Sequence, residues 1–177
     1  MSSAVSLDSP LLGRLLMTSR RVSVLVFYVL ALVLLVLDLW TKALATAHLN
    51  YAEPVVLTGY FNLTLLHNTG AAFSFLSTAG GWQHWLFGGI ASIISVVLVV
   101  WIYRAPATAV LLKFSLALIL AGALGNLWDR VTLGYVVDFI QWHYKDYYWP
   151  AFNIADAAIS VGAAAMVIDS FRASRRD

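Results

Sequence analysis

Four runs of about twenty apolar residues decide what this chain can fold into. A helix of that length crosses a hydrocarbon core roughly 30 Å thick. Hydrophobic residues make up 61% of the 177 and charged residues only 11%, too little charge to clothe a soluble globule. The runs fall at about 22–40, 84–103, 108–128 and 152–171. The expected fold class is an all-α polytopic membrane protein, a single four-helix transmembrane domain over 22–171. Tails at 1–21 and 172–177 flank it, the first expected to be loosely ordered.

Lys and Arg set the orientation. Arg14, Arg20, Arg21, Arg104, Lys113, Arg172, Arg175 and Arg176 fall on one side, against Lys42, Arg130 and Lys145 on the other. Both termini are therefore expected in the cytoplasm, and four crossings agree with that. The net charge of +2 sits at span ends rather than in a patch, so no nucleic-acid partner is indicated. A cleavable export signal is the competing reading of the first run, with Ser19-Arg20-Arg21 before it and Ala43-Leu44-Ala45 after it. Its apolar core exceeds the usual stretch of about 7–15 residues, and its loss would leave an odd number of crossings.

The outer connections, about 43–83 and 129–151, are long for a compact domain. Tyr60-Phe61-Asn62-Leu63-Thr64-Leu65 alternates apolar and polar, the pattern of a half-buried strand. Gly59 and Asn68-Thr69-Gly70 read as turns. The segment about 71–79 is apolar but too short to span, and is expected to be a surface helix or lid. A small extracytoplasmic, β-containing platform accounts for these features. Trp82, Trp85, Trp142, Tyr144, Tyr147, Tyr148 and Trp149 would form its interfacial aromatic belt.

Four carboxylates, Asp38, Asp129, Asp138 and Asp156, fall at the outer ends of these runs. A charged side chain costs roughly 2.5–3.5 kcal/mol at a helix centre on insertion scales and less near the interface, so such a gathering points to a working site. Asp38 and Lys42, four apart, can pair on one helix face. Asn126, Asp129 and Arg130 share a helix face and can form one network. Asp138 has no local cation partner in Val136-Val137-Asp138-Phe139-Ile140. Asp156 follows Pro150 by about one helical turn, with Asn153 placed to hydrogen-bond it. Two carboxylates about 4 Å apart repel by roughly 4 kcal/mol at an effective dielectric near 20, on the order of three pKa units. One would hold its proton while the other stays ionised, which suits general acid–base hydrolysis. Spacing alone does not bring Asp138 and Asp156 together.

Other chemistries find less support. Cysteine is absent, and His48, His67, His84 and His143 lack a zinc-binding spacing. No G-x-S-x-G occurs, and Ser74 has no evident base. A small proton-coupled membrane carrier remains an alternative, as does a scaffold without catalysis. A carrier would place its carboxylates near the midplane and show paired repeats, which are not evident.

Five motifs in order now carry a resemblance. They are Asp38-Leu39-Trp40-Thr41-Lys42, Asn62-Leu63-Thr64 through His67-Asn68-Thr69-Gly70-Ala71-Ala72-Phe73-Ser74, Gly125-Asn126-Leu127-Trp128-Asp129-Arg130, Gly134-Tyr135-Val136-Val137-Asp138-Phe139, and Phe152-Asn153-Ile154-Ala155-Asp156. Together they resemble the lipoprotein signal peptidases, bacterial signal peptidase II, over about 22–171. The resemblance implies an inner-membrane aspartic endopeptidase acting at the outer face on diacylglyceryl-modified prolipoproteins. It would cut immediately before the lipidated cysteine, with Asp138 and Asp156 as the catalytic dyad. Asn68, Asn126, Asp129, Arg130 and Asn153 would orient dyad and substrate, while Asp38 and Lys42 steady the fold. No metal or other cofactor is implied. Membrane lipids are expected neighbours, globomycin an expected inhibitor, and a monomer could contain the whole site.

Overall fold

The computed structural model describes residues 10–70 and 82–174. The four apolar runs are helices: α1 (Pro10–His48), α2 (Gln83–Arg104), α3 (Val110–Thr132) and α4 (Ile154–Ser174). All four are long and apolar enough to cross a membrane. Helix α1 exceeds its expected span at both ends. It begins at Pro10, where a loose tail was expected, because Pro suits the first helical position and Leu11, Leu12, Leu15, Leu16 and Met17 are strong helix formers. Past Trp40 it continues to His48, since Lys42-Ala43-Leu44-Ala45-Thr46-Ala47 offers no breaker.

Helix α3 is the most buried of the four and packs against each of the others. Val24, Phe27 and Ala31 of α1, Leu98 and Ile102 of α2, and Leu116, Ala117 and Leu120 of α3 form the shared core. Lys113, placed among the inner-side cations by sequence, lies in the first turns of α3 with its side chain fully buried. Leu32 and Val33 of α1, Ile93 and Val96 of α2, and Val161 and Val167 of α4 face outward, where lipid accepts them. Association within lipid depends on close backbone approach at small residues. At Gly122 a Cβ would collide with the Ala155 carbonyl oxygen, and at Gly162 it would lie 2.8 Å from the Ser115 carbonyl oxygen. These two glycines let α3 and α4 come together.

Four antiparallel strands in the order β1 (Val55–Thr58), β2 (Phe61–Asn68), β3 (Val136–Tyr144) and β4 (Tyr147–Tyr148) make the platform. The strand expected at 60–65 is β2, which extends to Asn68, where the expected turn begins with Gly70 N donating to Asn68 Oδ1 at 3.0 Å. Strand β3 was not anticipated from sequence. Gly134, at φ +82°, makes the left-handed turn that leads into it. Leu66 stands opposite Asp138, and Asn68 opposite Val136. The Phe139 and Ile140 amides both donate to the Phe152 carbonyl (3.1 and 2.9 Å), and Phe152 N returns a bond to Ile140 O (3.0 Å). Strand β3 is thereby stitched to the residue just before α4. The segment about 71–79, expected as a lid and containing Ser74, lies outside the described residues.

Substituting Gly122→Ala should force α3 and α4 apart and cost about 1–3 kcal/mol, read as a lower melting temperature in detergent. Gly89→Ala, where a Cβ meets nothing within 4 Å, should leave the melting temperature unchanged or raise it slightly.

Candidate active site

The start of α4 is the framework of the site. Asn153 caps the helix, its Oδ1 accepting from Asp156 N (2.9 Å), while Asp156 Oδ2 reaches back to Asn153 N at 3.4 Å. This reciprocal arrangement is a capping box. A third group joins from far along the chain: Asp38 Oδ1 accepts from Ala155 N at 2.8 Å. Sequence spacing places Asn153 beside Asp156, and the contact proves to be between side chain and backbone. That leaves Asn153 Nδ2 free to donate elsewhere.

Behind this cap lies a buried charge cluster. Lys42 Nζ sits 2.8 Å from Asp38 Oδ2 and 3.0 Å from Asp129 Oδ2, and donates to Asn126 Oδ1 at 3.1 Å. Lys42, Asp38 and Asp129 are all nearly inaccessible. Dry charges persist only when paired and hydrogen-bonded. Gly125 makes room for the cluster, since a Cβ there would collide with the Asp38 carboxylate. Asp129 Oδ2 also accepts from Val137 N at 3.0 Å, anchoring β3 one residue before Asp138.

Asp138 and Asp156 are joined through Asn153 and Asn126 over this base. Asn153 Nδ2 donates to Asp138 Oδ1 at 2.8 Å, and Asn68 Nδ2 to Asp138 Oδ2 at 3.1 Å. Asn126 Nδ2 donates to Asp156 Oδ1 at 2.8 Å. Asn153 and Asn126 are themselves joined, Nδ2 to Oδ1, at 3.2 Å. Burial, and then the charge of nearby Asp156, push Asp138 up to about 7, against the opposing pull of Asn68, Lys42 and Asn153. Asp138 is buried, whereas Asp156 is half-buried and lines a cleft of about 770 Å³. Phe87 and Ile94 of α2, Ile119 and Ala123 of α3, and Ile159 of α4 form much of its apolar wall.

Arg130 also lines this cleft. Its guanidinium donates to the Gly70 and Asn126 carbonyl oxygens (3.1 and 3.2 Å) and lies 5.7 Å from the Phe87 ring centroid. The single network expected of Asn126, Asp129 and Arg130 is therefore divided. Adjacent helical residues point about 100° apart, so Asp129 turns inward to Lys42 while Arg130 turns to the cleft. The Asp38–Lys42 pair forms as its spacing predicts. Its connections to Asn126, Asp129 and the α4 cap were not legible, because they join residues remote in sequence. Among the described residues, no group of three His, Cys, Asp or Glu side chains is arranged to hold a metal ion.

The signal peptidase (SPase) II family model matches residues 30–172. The lipoprotein signal peptidase of Acinetobacter baylyi is 54% identical over 147 residues, covering 83% of this chain and 82% of that protein. That of Cellvibrio japonicus is 52% identical over 145 residues, with 82% and 85% covered. Among solved structures, a bacterial membrane enzyme determined by the in meso method superposes with a TM-score of 0.77 at 29% identity, covering 86% of this chain and 91% of that one. A second of the same description gives 0.70 at 31% identity, covering 81% and 90%.

Asp38→Ala should cost about 3 kcal/mol, because it leaves Lys42 with half its counter-charge in a dry site and uncaps α4. Thermal unfolding in detergent, followed by tryptophan fluorescence, would show the loss as a lower midpoint.

Proposed function

Because the chain belongs to the signal peptidase II family, we propose that it removes the signal peptide from diacylglyceryl-modified prolipoproteins as an aspartic endopeptidase. The chain is a signal peptidase of that family with four helices of membrane-spanning length. Asp138 and Asp156 are the proposed catalytic pair. The observation that carries this reading is their junction through Asn153 and Asn126, with one buried and the other opening on the apolar cleft.

The chemistry follows from the unequal surroundings of the two groups. Asp138, held protonated up to about pH 7, polarises the scissile carbonyl by donating a hydrogen bond to its oxygen. Asp156 occupies the first turn of α4, where the helix dipole favours a carboxylate, and takes a proton from the attacking water. The water oxygen bonds to the carbonyl carbon. As the C–N bond breaks, the departing amine of the lipidated cysteine receives the proton that Asp156 took from water, which leaves an acid and an amine. Arg130 and Asn68 orient the peptide, and Asn126, Asp129 and Asn153 hold the pair. Asp38 and Lys42 secure the helix ends beneath it.

The apolar cleft suits a signal peptide and acyl chains delivered from within the membrane. We place the enzyme in the inner membrane as one domain over 22–171, with both termini cytoplasmic and the site on the outer face. It works without a cofactor, as a monomer among membrane lipids, and is inhibited by globomycin.

Cleavage of a diacylglyceryl-modified prolipoprotein in detergent tests the assignment. Asp138→Asn and Asp156→Asn should each remain folded and lose about 10³-fold or more in kcat. Activity near wild type in either variant would remove that residue from the mechanism. The wild-type rate should fall as pH rises through about 7, because Asp138 then loses the proton it needs as general acid. A rate unchanged between pH 6 and about 9 would contradict this assignment of roles.

A further inference from the structure

Lys42 lies behind the aspartates, yet its ammonium reaches past its ion pairs to the amide that holds one of them. Its Nζ makes ion pairs with Asp38 Oδ2 and Asp129 Oδ2 at 2.8 and 3.0 Å, and donates a hydrogen bond to Asn126 Oδ1 at 3.1 Å. Asn126 Oδ1 accepts a second bond from Asn153 Nδ2 at 3.2 Å, which occupies both of its lone pairs. Only Asn126 Nδ2 is left to meet Asp156 Oδ1, at 2.8 Å. A flipped amide would aim its NH2 at an ammonium and at another NH2 and its oxygen at the Asp156 carboxylate, losing three hydrogen bonds. Asp156 Oδ2, in contrast, has a long contact of 3.4 Å with Asn153 N.

Building on the aspartic reading above, we propose that Lys42 is a positioning residue for the cleavage step: it fixes the direction of the Asn126 amide. The amide then engages Asp156 Oδ1 and leaves Oδ2 as the oxygen that receives the proton of water. The positive charge also polarises the amide, strengthening its N–H as a donor. This role is separable from the ion pairs with Asp38 and Asp129. Those hold helix ends together and act on stability, whereas the Asn126 bond acts on the reacting carboxylate.

A double-mutant cycle distinguishes the two roles. Wild type, Lys42→Met, Asn126→Ala and the double variant are compared by kcat and KM for a diacylglyceryl-modified prolipoprotein, normalised to folded protein from size exclusion. Lys42→Met should lower kcat about 10²-fold with little change in KM, the scale of a misplaced catalytic group. The double variant should be within about threefold of Asn126→Ala, because Lys42 acts through that amide. A Lys42→Met kcat within about threefold of wild type, or losses that multiply in the double variant, would overturn the proposal. If Lys42→Met does not accumulate as folded protein, Lys42→Gln keeps most of the volume without the charge. The same kcat loss is expected of it, and a wild-type kcat is equally fatal. Asp156→Asn run alongside separates the levels. Wild-type activity there removes the aspartic reading itself, whereas an inactive Asp156→Asn beside an unimpaired Lys42 variant removes this inference alone.

Discussion

The buried ammonium of Lys42 between Asp38 and Asp129 is the interaction on which the rest of the structure depends. Removing three charges from water costs several kcal/mol per ion, and mutual attraction compensates only if the remaining hydrogen-bonding valences are met. Here each group has a second duty. Asp38 caps the backbone at Ala155, Asp129 holds the amide of Val137, and Lys42 holds Asn126. The cluster thus ties together the end of α1, the end of α3, the start of β3 and the start of α4. An ion pair of this kind is weak evidence of net stability, but it is a strong constraint on geometry. It fixes these four chain segments relative to one another.

Close packing supplies the second constraint, and it acts on the same segments. Gly122 and Gly162 let α3 and α4 approach until backbone nearly meets backbone, and Gly125 leaves space for the Asp38 carboxylate. In a membrane there is little hydrophobic gain from helix association, so the contacts permitted by small residues matter more than apolar area. The platform adds a third tie through the Phe139–Phe152 and Ile140–Phe152 bonds. Asp138 comes from a strand and Asp156 from a helix, and each is fixed by backbone hydrogen bonds rather than by a loop. Elements of this rigidity position reacting groups better than loops do.

What could be read from sequence follows the range of the interaction. The four helices were legible because twenty apolar residues leave few alternatives. The Asp38–Lys42 pair and the nearness of Asn153 to Asp156 were legible because helical spacing is local. Strand β3 was missed, although the β-branched run Val136-Val137 after Gly134 was a usable signal. The early start of α1 at Pro10 was also signalled, by proline ahead of leucines. The bonds from Lys42 to Asn126 and from Asp38 to Ala155 bridge 84 and 117 residues, and no sequence period encodes such contacts. The union of Asp138 with Asp156 belongs to this class. Its only sequence signal was the resemblance of five ordered motifs to a known family.

The unequal burial of the two aspartates connects this architecture to the proposed chemistry. A symmetric pair would have no reason to assign acid and base roles, and both groups would compete for one proton. Here Asp138 lies in the sheet–helix junction, where desolvation favours its neutral form, while Asp156 faces the cleft at a helix N-terminus. In the proposed mechanism the buried partner, Asp138, is therefore the one that carries the proton. The half-buried partner, Asp156, lines a cleft whose walls are largely apolar. A substrate held in that cleft would exclude most of the competing solvent and strengthen every charge interaction at the scissile bond. On this argument the apolar cleft and the polar cluster are parts of one device. In the proposed function the cleft would receive chains that arrive from the membrane, and the cluster holds the two carboxylates in unequal surroundings beside it.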